Sequence, residues 1–84
     1  MPSEDAQRDT DQVALGRAVR EFRARRGLSQ ERLGEQADMH RNYVGAIERG
    51  EINPTFRVLL KLTTGLDTPL STLLRLYEQR RDTP

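Results

Sequence analysis

The sequence predicts an all-α domain of five helices built round a helix-turn-helix, and three observations carry that expectation. Between Ser29 and Gly50 the apolar residues Leu33, Ala37, Met39, Val44 and Ile47 form two helix-period runs interrupted by Asp38. On either side lie further apolar runs at helical spacing, each bounded by a capping residue, a glycine or a proline. The 84 residues suit one domain with a single helical core and leave no room for a second, ligand-binding one.

The first helix is predicted from Asp11 or Gln12 to about Arg26, with Leu15, Ala18, Val19 and Phe22 inward and Gly27 as its stop. Residues 1–12 precede it as an acidic tail expected to be disordered. They carry Glu4, Asp5, Asp9 and Asp11 against Arg8, net −3, which leaves 13 basic and 9 acidic groups for residues 13–84. Ser29 is placed to cap the second helix, because its hydroxyl can accept from an unpaired first-turn amide. Gln30 then sits at a helix start, able to donate to a phosphate and to brace the next helix.

Asp38 occupies the turn, where a left-handed residue is needed and aspartate tolerates one, and His40 reads as the cap of the third helix. On that helix, at ~100° per residue, Arg41, Gly45, Arg49, Asn42 and Ala46 fall within an arc of about 140° while Val44 and Ile47 point away. One face is thus basic, amide-bearing and shallow, and the other is anchored. Such a helix suits the DNA major groove; an ordinary solvated surface helix is the alternative. Gly50 closes it, and Glu51 to Pro54 form a loop. A fourth helix is expected from Pro54 or Thr55 to about Thr64, with Phe56, Leu59, Leu60 and Leu62 as its apolar set and Gly65 as its stop. Thr68-Pro69 opens the fifth, with Leu70, Leu73, Leu74, Leu76 and Tyr77, more apolar surface than one small core needs. The domain is therefore placed at residues 13–78, and residues 79–84 are expected to fray.

Composition excludes more than it selects. There is no cysteine and a single histidine, so neither a thiolate metal site nor a disulfide framework is available, and no metal or other cofactor is expected. No apolar run approaches the ~18 residues of a membrane span, and the polar start lacks a signal-peptide core, so a soluble cytoplasmic protein is expected. Paired carboxylates, a nucleophile with its base and a phosphate-cradling glycine loop are all missing, which argues against an enzyme. The net charge of +1 announces no nucleic-acid partner by itself. Thirteen of the fourteen cations are arginine, the residue that grips phosphate and guanine two-pronged, although a GC-rich genome gives the same bias. Of the first-helix arginines, Arg17 and Arg20 are the ones placed for phosphate contact, the others reading as a solvated face.

The order of Leu28-Ser29-Gln30-Glu31, Leu33, Ala37, Val44, Ile47-Glu48-Arg49-Gly50, Asn53-Pro54-Thr55 and Leu66 resembles the helix-turn-helix of the Cro/CI-type phage repressors, the XRE family, over about residues 13–77. Gly34 departs from the alanine, and Asp38 from the glycine, usual in that family. Within it, His40 to Gly45 looks most like the small controller proteins of restriction-modification systems, though Ile52 replaces a polar or basic loop residue that many of them carry. The resemblance implies a lambda-repressor-like fold, base contacts from Arg41 and Asn42, base or phosphate contact from Tyr43, and phosphate contacts from Gln30, Arg49, Asn53 and Thr55. It also implies a structural ion pair between Arg23 and Glu48.

The function expected is sequence-specific regulation of transcription by a homodimer on a near-palindromic duplex, with no small-molecule ligand. Leu70, Leu74 and Tyr77, helped by Arg57 and Leu60, are expected at the dimer interface. An antitoxin or other protein-binding module on the same fold is the alternative.

Overall fold

The computed structural model describes residues 4–82, with side chains from Thr10 onward, and contains five helices: α1 (Glu4–Arg25), α2 (Gln30–Ala37), α3 (Arg41–Glu48), α4 (Phe56–Leu66) and α5 (Leu70–Asp82). The predicted helix count and order are those observed. α2 and α3 cross as a helix-turn-helix, α4 packs on α2, and α1 lies against both α3 and α5.

The starts of α2, α3 and α4 each have a local cause. The Ser29 hydroxyl accepts from the Arg32 amide at 3.0 Å, His40 Nδ1 from the Asn42 amide at 2.9 Å, and Thr55 Oγ1 from the Val58 amide at 3.2 Å. Asp38 ends α2 in the left-handed region at φ 56°, its amide turned back to carbonyls of the last turn. The neighbouring departure at Gly34 belongs to the same turn: a Cβ there would lie 2.5 Å from the Met39 carbonyl oxygen. The core gathers Ala18 and Val19 of α1, Leu33 and Ala37 of α2, Val44 and Ile47 of α3, Leu62 and Leu66 of α4, and Leu73 and Leu76 of α5.

Several expected boundaries are corrected. Residues 4–12 belong to α1 rather than to a disordered tail, and Gln12 is buried, its Nε2 donating to the Gly50 carbonyl at 3.1 Å. The expectation for residues 1–3 falls outside the described residues. Gly65 does not stop α4. The helix runs on to Leu66 and is capped by Asp67 at φ 51°, because Gly65 is where α4 meets α2: a Cβ there would press on Leu33 and Ala37. Residues 79–82 are helical rather than frayed, with Arg80 forked onto Glu21 of α1, while residues 83–84 lie outside the described residues. The apolar set assigned to α4 also divides. Leu62 is buried and Leu59 half-buried, but Phe56 and Leu60 point to solvent, at 65% and 42% exposure.

Candidate nucleic-acid interface

α3 is held from behind and open in front. Val44 and Ile47 are sealed in the core, and Gly16 of α1 lies against the carbonyls of Ile47 and Glu48, so close that a Cβ would sit 2.5 Å from the latter oxygen. On the outer side Arg41, Asn42 and Arg49 are exposed. Tyr43 is half-buried with its ring against the core, so of the three expected base-contacting residues it presents the least surface.

The middle of this face is shallow because polar side chains fold down over a glycine. Gly45 is buried, because the Gln30 side chain and the Arg49 guanidinium lie over it; an added Cβ would meet Arg49 Nη1 at 2.9 Å and Gln30 Oε1 at 3.3 Å. The glycine therefore lets two polar side chains fold down across α3, instead of leaving the backbone bare. Gln30 is fixed there by its Nε2, which donates to Glu48 Oε1 at 3.0 Å.

Glu48 anchors the C-terminal end of the helix. Its side chain has no exposed surface and accepts from Arg23 Nε at 2.6 Å and Nη2 at 3.0 Å, and Arg23 Nη1 donates to the Leu28 carbonyl at 2.8 Å. Burial by itself would push the Glu48 carboxyl up. Hydrogen bonds from Arg23 and Gln30, with the charges of Arg23 and Arg20, outweigh it and hold the group below its ordinary value. Arg23 and Glu48 are thus brought together and are spent on structure. Arg20 Nε lies 3.5 Å from Glu48 and keeps 57% of its side chain exposed, so it stands at the rim of the same surface.

Other expected residues ring this centre. Arg17 is exposed one turn before Arg20 to Glu21, where α1 faces Arg80 of α5. Thr55 is exposed and caps α4. Asn53 is exposed and lines a shallow pocket of 180 Å³ with Asp11, Gln12, Leu15, Leu74 and Tyr77, so it stands nearer the α1–α5 seam than to Arg41's end of α3. Two carboxylates were missed in the sequence: Glu31 pairs with Arg41 at 3.1 Å and Glu51 with Arg49 at 2.7 Å. The first is a contact across the turn between residues ten apart and has no local signal; the second, two residues away, does.

The residues expected at a dimer face differ in exposure. Leu73 and Leu76 of α5 are buried, Leu70 and Leu74 are half-buried, and Tyr77 packs on the core with its hydroxyl donating to Asp11 Oδ1 at 3.0 Å. α5 packs chiefly against the long α1, while Leu70, Leu74 and Tyr77 keep part of their surface exposed. Exposed large apolar side chains lie instead on α4, at Phe56 and Leu60, one turn apart with Arg57 beside them, and at Val13.

Among the described residues no group of three or more His, Cys, Asp or Glu is arranged to hold a metal, and no helix is long and apolar enough to cross a membrane.

Comparison with known proteins places these features in a wider group. The profile of a helix-turn-helix domain family matches residues 14–81. The control protein C.SmaI of Serratia marcescens is 42% identical over 60 residues, which is 71% of this chain and 71% of that protein. The crystal structure of the restriction-modification controller protein C.AhdI from Aeromonas hydrophila is similar at a TM-score of 0.73 and 43% identity, over 75% of this chain and 96% of that one. The clp gene regulator ClgR from Corynebacterium glutamicum is similar at 0.82 and 24% identity, over 88% and 96%, a likeness of fold alone.

Proposed function

The chain belongs to the helix-turn-helix domain family of DNA-binding transcriptional regulators, and from that premise we propose that it acts as a cytoplasmic homodimer on a near-palindromic operator, as a restriction-modification controller. The observation that carries this reading is the two-sidedness of α3: Val44 and Ile47 are 0% and 1% exposed, while Arg41 and Asn42 stand out at its amino-terminal end. Recognition helices of this kind read base edges with the side chains of their first turn.

In this reading Arg41 makes a two-pronged bond to guanine and Asn42 contacts adenine or a phosphate. Tyr43 adds a base or phosphate contact. Gln30, Arg49, Arg17, Asn53 and Thr55 hold phosphates and set the register without reading sequence. A single module of this size makes too few base contacts to select a site among genomic competitors, so two copies are required. Leu70, Leu74 and Tyr77 of α5 form the dimer contact, joined by Arg57 and Leu60 of α4, beside which Phe56 is also exposed. The two α3 helices then stand about 34 Å apart, one turn of duplex.

Selection from a pool of random duplexes tests the proposal. Enrichment of a two-fold motif with half-sites about one turn apart is expected; a pool that returns no motif contradicts it and favours the partner-protein alternative. Sedimentation at micromolar concentration tests the pairing, with a dimer expected for the native chain and a monomer for Leu60→Asp. A monomeric native chain contradicts it.

A further inference from the structure

Arg41 is already engaged before any duplex arrives. Its Nη1 donates to Glu31 Oε2 at 3.1 Å, and the two side chains keep 61% and 62% of their surface exposed. Glu31 lies in the first turn of α2 and Arg41 begins α3, so the pair joins two helix starts that Ser29 and His40 cap. We propose that Glu31 is a specificity-determining positioning residue, which holds Arg41 ready for guanine and withholds it from phosphate. The proposal rests on the reading of Arg41 as the base-contacting arginine.

A guanidinium has five N–H donors in a planar fork. Glu31 takes a donor at Nη1, which leaves the edge formed by Nε and Nη2 with two parallel donors, the arrangement that O6 and N7 of guanine accept. Arg49, at the far end of the same helix, differs. Glu51 occupies its Nε at 2.7 Å and its Nη2 at 3.2 Å, so the two-pronged edge is spent inside the protein. One arginine is anchored with its reading edge open and the other with that edge closed. Anchoring also removes rotamer freedom in advance, which lowers the ordering cost of binding.

A carboxylate only accepts hydrogen bonds, so Glu31 offers nothing to a phosphate and repels it. Glu31, Glu35, Asp38, His40 and Arg41 line one open concavity beside the turn; Glu35 is paired with Arg32 at 3.4 Å and Asp38 with Lys61 at 3.8 Å, so Glu31 is the carboxylate there that pairs with Arg41. A duplex seated out of register brings a phosphate against Glu31 and must compete with it for Arg41. A guanine in the groove meets Arg41 without displacing Glu31. The arrangement discriminates by repelling the wrong seat as well as by attracting the right one.

The experiment measures affinity of the native chain, Glu31→Gln, Arg41→Ala and the double variant. The duplexes are the selected operator, the same operator with each other base pair at the guanine assigned to Arg41, and a random sequence. Glu31→Gln is expected to bind random duplex several-fold more tightly while its preference for guanine falls roughly two- to fivefold per half-site, the range open to an exposed ion pair. In the Arg41→Ala background the same change should leave base preference unaltered. Glu31→Gln that strengthens every duplex by one factor, with guanine preference intact, overturns the proposal, as does a loss of preference that persists without Arg41. Should Arg41→Ala itself keep the guanine preference, the assignment of Arg41 falls and Glu31's role with it, an outcome distinct from the other two. Glu31→Ala is the companion variant, and thermal melting confirms that both remain folded.

Discussion

Arg23–Glu48 and Arg41–Glu31 are chemically the same pair at the two ends of α3, separated by 2.6 and 3.1 Å, yet the Glu48 side chain is fully buried and that of Glu31 is 62% exposed. The buried pair is closed. Each carboxylate oxygen of Glu48 meets an Arg23 nitrogen, and Gln30 takes a further lone pair. The exposed pair shares a single hydrogen bond and leaves the outer edge of Arg41 to solvent. Burial decides what each can do: a desolvated ion pair is costly to open and so serves as a fixed point, whereas a hydrated one exchanges partners cheaply. The helix is pinned at its carboxyl end so that its amino end can be offered.

The comparison breaks most visibly at Glu48. Glu48→Ala strands a mostly buried Arg23 and frees Gln30, and should cost about 3 kcal/mol in denaturant unfolding; Arg23→Met with Glu48→Leu should cost clearly less, because no charge is left uncompensated. Next in size is Gly16→Ala. Its Cβ would run into the Ile47 and Glu48 carbonyls, backbone that cannot swing aside, so a loss of about 2 kcal/mol is expected by the same measurement.

Acid should act through the closed pairs as well. The Glu21 carboxyl is held below its ordinary value chiefly by the hydrogen bond from Arg80, against the opposing effect of burial, and Glu48 is held down as described above. Because both folded-state values are lowered, the stability they supply is complete above the ordinary glutamate range and is lost as pH falls through the lowered values. A melting series should therefore show the native chain losing stability on acidification, and Arg23→Met with Glu48→Leu losing less. The smallest effect belongs to the open pair. Removing either Glu31 or Arg41 should change stability by less than about 1 kcal/mol while altering DNA binding.

How much of this was legible in the sequence follows from the range of each interaction. Ser29, Asp38 and His40 act on neighbours within a few residues, and their roles as caps and turn were readable. Val44 and Ile47 declared the buried side of α3 through helical spacing alone. What escaped was decided elsewhere in the chain. Gly65 looked like a stop because glycine ends helices, but Leu33 and Ala37 of α2 require it inside one. Arg80 looked like a frayed end because Glu21, which orders it, lies 59 residues away. Phe56 and Leu60 were grouped with Leu62 as one apolar set. At ~100° per residue Phe56 and Leu60 lie about 60° and 100° beyond Leu59, outside the arc that holds Leu59, Leu62 and Leu66, and those three face inward. Arg41 was readable as an outward cation, but its partner across the turn was not.

In the proposed function the open end of α3 reads bases while Arg49 at the other end holds backbone. The most direct test is base preference at every operator position for Arg41→Ala and Arg49→Ala beside the native chain. Arg41→Ala should lose ~1 to 3 kcal/mol of discrimination at one base pair per half-site, and Arg49→Ala should weaken all duplexes alike and reduce the salt slope. Uniform weakening by both variants, with every base preference kept, would contradict the account.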